Sequence, residues 1–437
     1  MQDITYTRVS DVINASRVSS LQVIIFSSCF FIAAIDGFDT AVIGFLAPAI
    51  AREWHMQPQS LALLFGAGLL GSILGTPFLG AIADAFGRKS TMLVSTAAFG
   101  GLTMLSGWTH DLMSLTVLRF FAGICLGGAL PCAIALTSEY SPERRRSSLV
   151  TAMFCGFTLG SASVGGLAAW MVPASGWRAV LVSGGLATLL IAGLGWSLLP
   201  ESLNYLVSRN LRPEEVRRTL ARIAPAIATD WKPEAEPATV GSPVGALFKA
   251  RPVAGTLLLW VAAFMGLMCT FLLSNWMPLL LTKEGYSLHR ASLVTAMYQI
   301  GGTAGAILLG LAMDRFRPNR VLAIASAFAG VFVVAIALFA HMPNAVAVAV
   351  FLAGFCIPGS QVGAFAYAAA WYPTRVRATG ISWMGGMGRL GSVLGSVSAG
   401  GLLALDFEVT AIVALLAIPL VIAAMAMAFH ERVRMGG

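Results

Sequence analysis

Charge is scarce in this chain. Only 11% of its 437 residues are Asp, Glu, Lys or Arg, and 57% are hydrophobic; a water-soluble domain carries about 25% charged residues. The apolar residues run in long uninterrupted stretches instead of amphipathic stripes, which excludes a soluble protein with one large core. Cysteine is sparse too. The six, at 29, 125, 132, 155, 269 and 356, fall inside apolar stretches and make no CxxC pair, so neither a disulfide framework nor a metal site is indicated. His55, His110, His289 and His341 fall in predicted loops without ligand spacing, and no metal centre is expected. HExxH, GxSxG and the P-loop are missing, which argues against an enzyme and an ATP-driven pump. Met1 to Ser20 carries Asp3, Arg8, Asp11 and Arg17 and lacks the charged, apolar, small order of a cleaved signal peptide.

What the chain does have is length in its apolar runs. About 20 apolar residues cross the hydrocarbon layer as a helix, and a helix satisfies its own backbone, as lipid requires. The 46 glycines fit helices that pack closely through small residues. The predicted fold is an all-α polytopic membrane protein with twelve transmembrane helices in two pseudo-symmetric six-helix bundles. The spans are placed at 21–50, 59–83, 90–109, 112–138, 147–170, 178–199, 254–281, 291–313, 320–340, 345–370, 378–403 and 408–429. Residues 1–20 form one tail and 21–202 the first bundle. A polar linker occupies 203–250, the second bundle 251–429 and a second tail 430–437. The linker holds Pro213, Glu214, Glu215, Arg217 and Arg218, then the Pro-rich run Lys232 to Pro237. Short surface helices and a flexible strap are expected there.

Basic residues test this map independently. Of the 28 Lys and Arg, four (Arg52, Arg178, Lys283, Arg290) fall in odd-to-even loops and two (Arg119, Arg389) inside spans; the others occupy the tails and the even-to-odd loops. Arg88 and Lys89, Arg144 to Arg146, Arg315, Arg317 and Arg320, and Arg375 and Arg377 mark four of those loops. Short Lys- and Arg-rich loops stay cytoplasmic, so both termini are expected in the cytoplasm. The net charge of +8 then sets topology and meets anionic lipid, and no nucleic-acid partner is expected.

The two halves echo each other. Gly80 to Lys89 after span two matches Gly310 to Arg320 after span eight, and Phe121-Ala122-Gly123 matches Leu352-Ala353-Gly354. The Asp84–Gly123 and Asp314–Gly354 separations are 39 and 40 residues. Duplication of a six-helix unit explains nearly equal offsets, and a site between two such units opens alternately to each side.

Ionised groups inside a membrane cost at least about 2.5 kcal/mol, so each one is informative. Asp36 and Asp39 share one face of span one. Burial and like charge raise carboxylate pKa values, the chemistry of a reversible proton carrier; the competing reading is an ion pair or a cap. Arg119 in span four is a partner for either Asp, or for an anion. Arg389 lies among glycines in Gly385-Gly386-Met387-Gly388-Arg389-Leu390-Gly391, with room for a carboxylate held by two hydrogen bonds; a conformational ion pair is the alternative. Gating is assigned to Glu139 beside the Arg144 to Arg146 cluster, to Asp84, Gly87, Arg88 and Lys89, and to a second set at Asp314 and Arg315. Helix capping and topology alone are the plainer account of these loops. Asn275, Trp276, Tyr298, Gln299, Gln361, Tyr367 and Trp383 are candidate pocket residues, since aromatic walls with a few directed hydrogen bonds suit a small ring. Trp and Tyr also populate interfacial belts.

Gly80-xxx-Asp84-xx-Gly87-Arg88-Lys89, Arg119-xxx-Gly123 and Pro200-Glu201-Ser202 resemble motifs of the major facilitator superfamily over essentially the whole chain. Asp36-Gly37-Phe38-Asp39, Ser141 to Arg146, Met153 to Gly160, and Arg377 to Gly380 followed by Gly388-Arg389 resemble its aromatic acid:proton symporter family. That resemblance implies a secondary transporter of the bacterial inner membrane. It would take up hydroxybenzoate-, protocatechuate- or gallate-type acids with protons as the coupling ion and no other cofactor. The expected partners are the small aromatic acid and membrane lipid, and the expected working unit is a monomer. Span five lacks the Pro of the superfamily's drug/proton antiporters, which favours uptake over efflux. Arg317-Pro318-Asn319 replaces the Gly-Arg pair expected in the second loop, which weakens that loop's match. An efflux antiporter, a carrier of another small organic anion and a membrane aromatic-acid sensor are the alternatives.

Overall fold

The computed structural model describes residues 6–16, 18–224, 232–234, 244–250, 252–373 and 376–435. Arg375, one of the basic loop residues, lies outside them, as does the second half of the Pro-rich run. A short strand β1 (Tyr6–Arg8) leads into α1 (Val9–Ala15). Helices α2 (Ser20–Glu53), α3 (Leu61–Phe86), α4 (Arg88–Ser106), α5 (Leu112–Glu139) and α6 (Glu143–Leu198) follow. The linker holds α7 (Leu203–Ser208), α8 (Pro213–Ile223), strand β2 (Lys232–Glu234), which pairs in parallel with β1, and α9 (Val244–Ala250). Then come α10 (Val253–Lys283), α11 (Leu288–Arg315), α12 (Pro318–Leu338), α13 (Pro343–Trp371), α14 (Arg377–Ala404), α15 (Val409–Leu415) and α16 (Ala417–Met435).

Among the described residues, nine helical segments are long and apolar enough to cross a membrane. One of them, α6, has 56 residues. At about 1.5 Å per residue it far exceeds a ~30 Å hydrocarbon layer, and Gly176 breaks it with φ 80° and ψ 170°. The sequence places a loop there; the chain instead turns on this one glycine. Helices α4 and α14 are more polar. Helix α4 buries Thr91, Ser95, Thr96, Thr103 and Ser106 against its neighbours, and α14 carries Arg389. The outer faces are apolar: Leu190, Leu194, Val331, Leu338 and Val348 are among many exposed large side chains, a surface that only lipid covers comfortably.

Local chemistry sets the helix ends. Ser19 and Gln22 form a reciprocal cap at the start of α2, and buried Gln22 spends its remaining amide on the Tyr140 carbonyl at 2.7 Å. Asp111 caps α5 by accepting from the Ser114 amide at 2.8 Å. Gly87, with φ 102°, makes the sharp turn between α3 and α4. In the linker, α8 buries Val216, Leu220 and Ile223, so it packs down on the helices above it.

Glycine interlocks build the bundle, and they occur twice. Gly71 and Gly75 of α3 press on the carbonyls of Phe120 and Ile124 in α5, and Gly123 presses back on Gly68. About 230 residues later, Gly301 and Gly305 of α11 press on Phe351 and Phe355 in α13, and Gly354 presses back on Tyr298. A second set repeats as well. Gly156 and Gly160 of α6 meet Phe30 and Ala34 in α2; Gly391 and Gly395 of α14 meet Phe264 and Met268 in α10. In each case a Cβ would collide with backbone, which does not yield. Helices α2–α6 thus pack among themselves, as do α10–α16, and the two groups meet where α2 touches α10, α3 touches α14 and α6 touches α11.

Among the described residues, the groups share an apolar core at one end. A continuous core unites Ala41–Ala47, Leu61–Phe65 and Val164–Trp177 with Leu272–Leu281, Ala291–Tyr298 and Ala399–Leu403. Phe65 and Trp276 seal it edge to face at 5.0 Å. Towards the termini, each group has its own separate core.

Candidate functional site

Two carboxylates one helical turn apart on α2 have different surroundings. Asp39 is buried, and its Oδ1 accepts from two side chains. Arg119 of α5 donates Nη1 to Asp39 Oδ1 at 3.0 Å, and Nη2 to Thr103 Oγ1 at 2.7 Å and Ser106 Oγ at 3.2 Å on α4. The Thr103 hydroxyl donates to the same Asp39 oxygen. Three helices of one group converge on this pair, and both side chains are almost wholly excluded from solvent. Asp36 is equally buried, yet its Oδ2 has no hydrogen-bond partner among the described residues. A buried charged oxygen without a hydrogen bond is costly. Gly37 between them gives the room: it touches the Phe157 carbonyl of α6, and its own carbonyl accepts from Ser161 at 2.8 Å.

Arg389, on the other helix group, lies within electrostatic range of Asp36. Its Nη1 donates to Thr76 Oγ1 of α3 at 2.6 Å. A second polar contact across the groups lies nearby, where Thr303 of α11 donates to Thr158 of α6 at 2.7 Å. A buried carboxylate and a guanidinium tied across the groups thus lie within electrostatic range of each other, and the common core closes one end of the interface.

The other pocket candidates divide. Asn275 donates to Ser396 Oγ at 2.9 Å, and Trp276 to the Ser396 carbonyl at 2.7 Å. Both are buried, and Gly44 approaches the Asn275 Cα within 2.8 Å of an added Cβ, so they build the sealed end. Gln299 donates to Ser274 at 3.1 Å. Tyr298 is buried beside Thr270. Gln361 packs on Gly266 and donates to the Ala262 carbonyl at 3.3 Å, and Tyr367 meets His430 at 3.2 Å. Both lie within the second group. Trp383 is nearly half exposed and stacks on Trp260. Six residues at about 100° each carry it some 240° round α14 from Arg389, so the two do not share a face.

The loop residues gather within each group. Arg88 pairs with Glu139 at 3.1 Å. Glu139 also accepts from Ser202 Oγ at 2.7 Å and the Asn204 amide at 2.5 Å. The Lys89 amide donates to Glu201 at 2.8 Å, and a Cβ at Gly87 would sit 2.5 Å from that carboxylate. Asp84 is exposed, and its backbone carbonyl accepts from Arg209 at 3.0 Å. Arg144, Asp314 and Arg315 are exposed at helix ends. Arg317 and Arg320 reach Glu431 at 2.7 and 3.1 Å.

Sequence reasoning missed Thr76, Thr103, Glu201, Glu431 and His430. Glu201 was visible as an acid in a chain with few of them, and Thr76 as one of two hydroxyls, with Ser72, in a Gly-rich apolar run. His430 gave no signal, because only packing reveals its contacts with Tyr367 and Trp371.

A bundle with apolar outer faces, buried opposite charges at a seam and a core closing one end of that seam defines a membrane carrier. The chain belongs to the Major Facilitator Superfamily, whose profile matches residues 29–291 and 282–435. It is a multi-pass bacterial inner-membrane protein of that superfamily, in the subfamily that includes 4-hydroxybenzoate and gallate transporters. It is 39% identical to the 4-hydroxybenzoate transporter PcaK of Pseudomonas putida over 95% of this chain and 94% of that one. It is 38% identical to the gallate transporter of Pseudomonas putida, covering 98% and 96%. Among solved structures, the partially occluded inward open xylose transporter XylE of E. coli superposes with a TM-score of 0.73 at 16% identity, over 94% of this chain and 98% of that one. That likeness concerns the fold alone.

Proposed function

We propose that this protein carries a small aromatic carboxylate of the hydroxybenzoate, protocatechuate or gallate type into the cytoplasm together with protons. The relatives' substrates support the class of ligand. The observation that carries the mechanism is the division of labour on α2: Asp39 is locked to Arg119, while Asp36 has a free oxygen and lies within electrostatic range of Arg389. In this reading Asp36 takes the proton, Arg389 meets the substrate carboxylate, and Asp39 with Arg119 holds α2 in place.

Counting α6 as two crossings and adding α4 and α14 brings the nine apolar segments to twelve, six on each side of the linker. The repeated glycine interlocks support two pseudo-symmetric bundles over 21–202 and 251–429. The positive loops support cytoplasmic termini. The common core then closes the periplasmic end, which makes this an inward-facing arrangement. Closing the cytoplasmic end would bring the Asp84–Lys89 turn of one bundle towards the other, as a gate. Symport requires that the half-loaded carrier cross poorly, since otherwise one species would leak.

Purified protein in liposomes tests this. Radiolabelled 4-hydroxybenzoate should accumulate under an inward proton gradient, compete with protocatechuate and gallate, and move protons with it. Asp36→Asn should bind and exchange substrate without gradient-driven accumulation. Uptake indifferent to the gradient, with no linked proton movement, overturns symport. Net efflux would mark an antiporter, and binding without flux a sensor.

A further inference from the structure

We propose that Thr76 is a positioning residue for the substrate, a fixed acceptor on one bundle that holds the Arg389 guanidinium of the other with its Nε–Nη2 edge open to the incoming carboxylate. The proposal rests on the reading of Arg389 as the carboxylate-binding group. Three observations lead to it.

First, the direction of the hydrogen bond is settled by the threonine itself. Thr76 gives its only hydroxyl proton to the Ser72 carbonyl on its own helix at 2.8 Å. Its lone pairs therefore face outwards, and at 2.6 Å they can only accept from Arg389 Nη1. Second, Thr76 cannot drift. The residue before it, Gly75, is pressed on the Ile124 carbonyl of α5, and Gly71 on Phe120 one turn back. The acceptor stands on interlocked backbone, as a group that sets geometry must. Third, the guanidinium is planar and its five donors keep a fixed fork geometry. Anchoring Nη1 at one end and the stem at the other fixes the plane. No hydrogen bond to Nε or Nη2 occurs among the described residues. Those two atoms form one edge, and a carboxylate can take both in parallel. Space beside that helix is available, because Gly386 meets nothing within 4 Å.

The tie also crosses the seam between the bundles. Substrate on the free edge thus joins α14 to α3 through one rigid group, which places the carboxylate in a position that depends on how the bundles are set.

The test compares purified full-length wild type, T76V, T76S and R389Q in detergent. Equilibrium binding is measured for 4-hydroxybenzoate and, by competition, for its neutral amide. T76V keeps the shape and loses the acceptor; it should weaken carboxylate binding about tenfold, or ~1.4 kcal/mol, and leave the amide unchanged. T76S should restore affinity to within about threefold of wild type, and R389Q should lose more than T76V. Wild-type carboxylate affinity in T76V, with R389Q impaired, overturns the role of Thr76 and leaves Arg389 as the binding group. Equal losses for acid and amide in T76V mean general loosening and also overturn it. Wild-type affinity in R389Q removes the reading on which the proposal stands.

Discussion

Neutralising the two aspartates of α2 should have very unequal consequences for folding, although they lie three residues apart with the same chemistry. Asp39→Asn leaves Arg119 buried without an opposite charge, among Thr103, Ser106 and a neutral amide. At 3.0 Å and an effective dielectric of about 20, the lost attraction is ~5 kcal/mol, and breaking buried pairs costs about 3–5 kcal/mol. Asp36→Asn instead removes a buried carboxylate whose Oδ2 had no partner, so the change should stay within about 1 kcal/mol. Denaturation of the purified protein in mixed micelles measures both. The double variant Asp39→Asn/Arg119→Gln closes a thermodynamic cycle, and a coupling of about 2 kcal/mol or more is expected for groups in direct contact. In transport assays, Asp39→Asn should fail through lost protein, and Asp36→Asn through lost coupling in a folded carrier. Equal destabilisation by the two aspartate variants, or additive losses in the double variant, would show that Asp39 and Arg119 do not form the structural pair described here.

Gly37→Ala should reduce folded yield severely, because the new methyl group meets the Phe157 carbonyl backbone of α6; overpacking costs typically about 1–3 kcal/mol, and wild-type melting of this variant would contradict the helix contact. Glu139→Gln should loosen the network that joins Arg88, Ser202 and Asn204, raising proteolysis at the start of the linker, with protection equal to wild type as the contrary result.

The halves also differ in what they kept after duplication. By the glycine registers, Asp36 and Asp39 correspond to Thr270 and Leu273, Arg119 to Val350 and Arg389 to Phe154. The packing scaffold is shared, and the charges are not. The buried acids thus belong to the first bundle and Arg389 to the second, as the proposed division between proton and substrate requires.

Much of this was already contained in the order of residues. Membrane insertion follows from scarce charge and long apolar runs, because lipid imposes a one-dimensional test that composition meets or fails. The internal repeat is equally linear, and so is the rarity of Asp36, Asp39, Arg119 and Arg389 within spans. Partner choice is another matter. Asp36 and Asp39 look alike along the chain; only the convergence of α4 and α5 on one of them separates a structural ion pair from a free carboxylate. Glu139 at the end of α5 found Arg88 at the start of α4, and Trp276 joined the closing core instead of a pocket wall. Trp383 turned to a different face of α14 from Arg389. Each outcome depends on which helices touch and on which face, and that is set by backbone contacts between glycines scattered over hundreds of residues, where no local pattern can record the pairing.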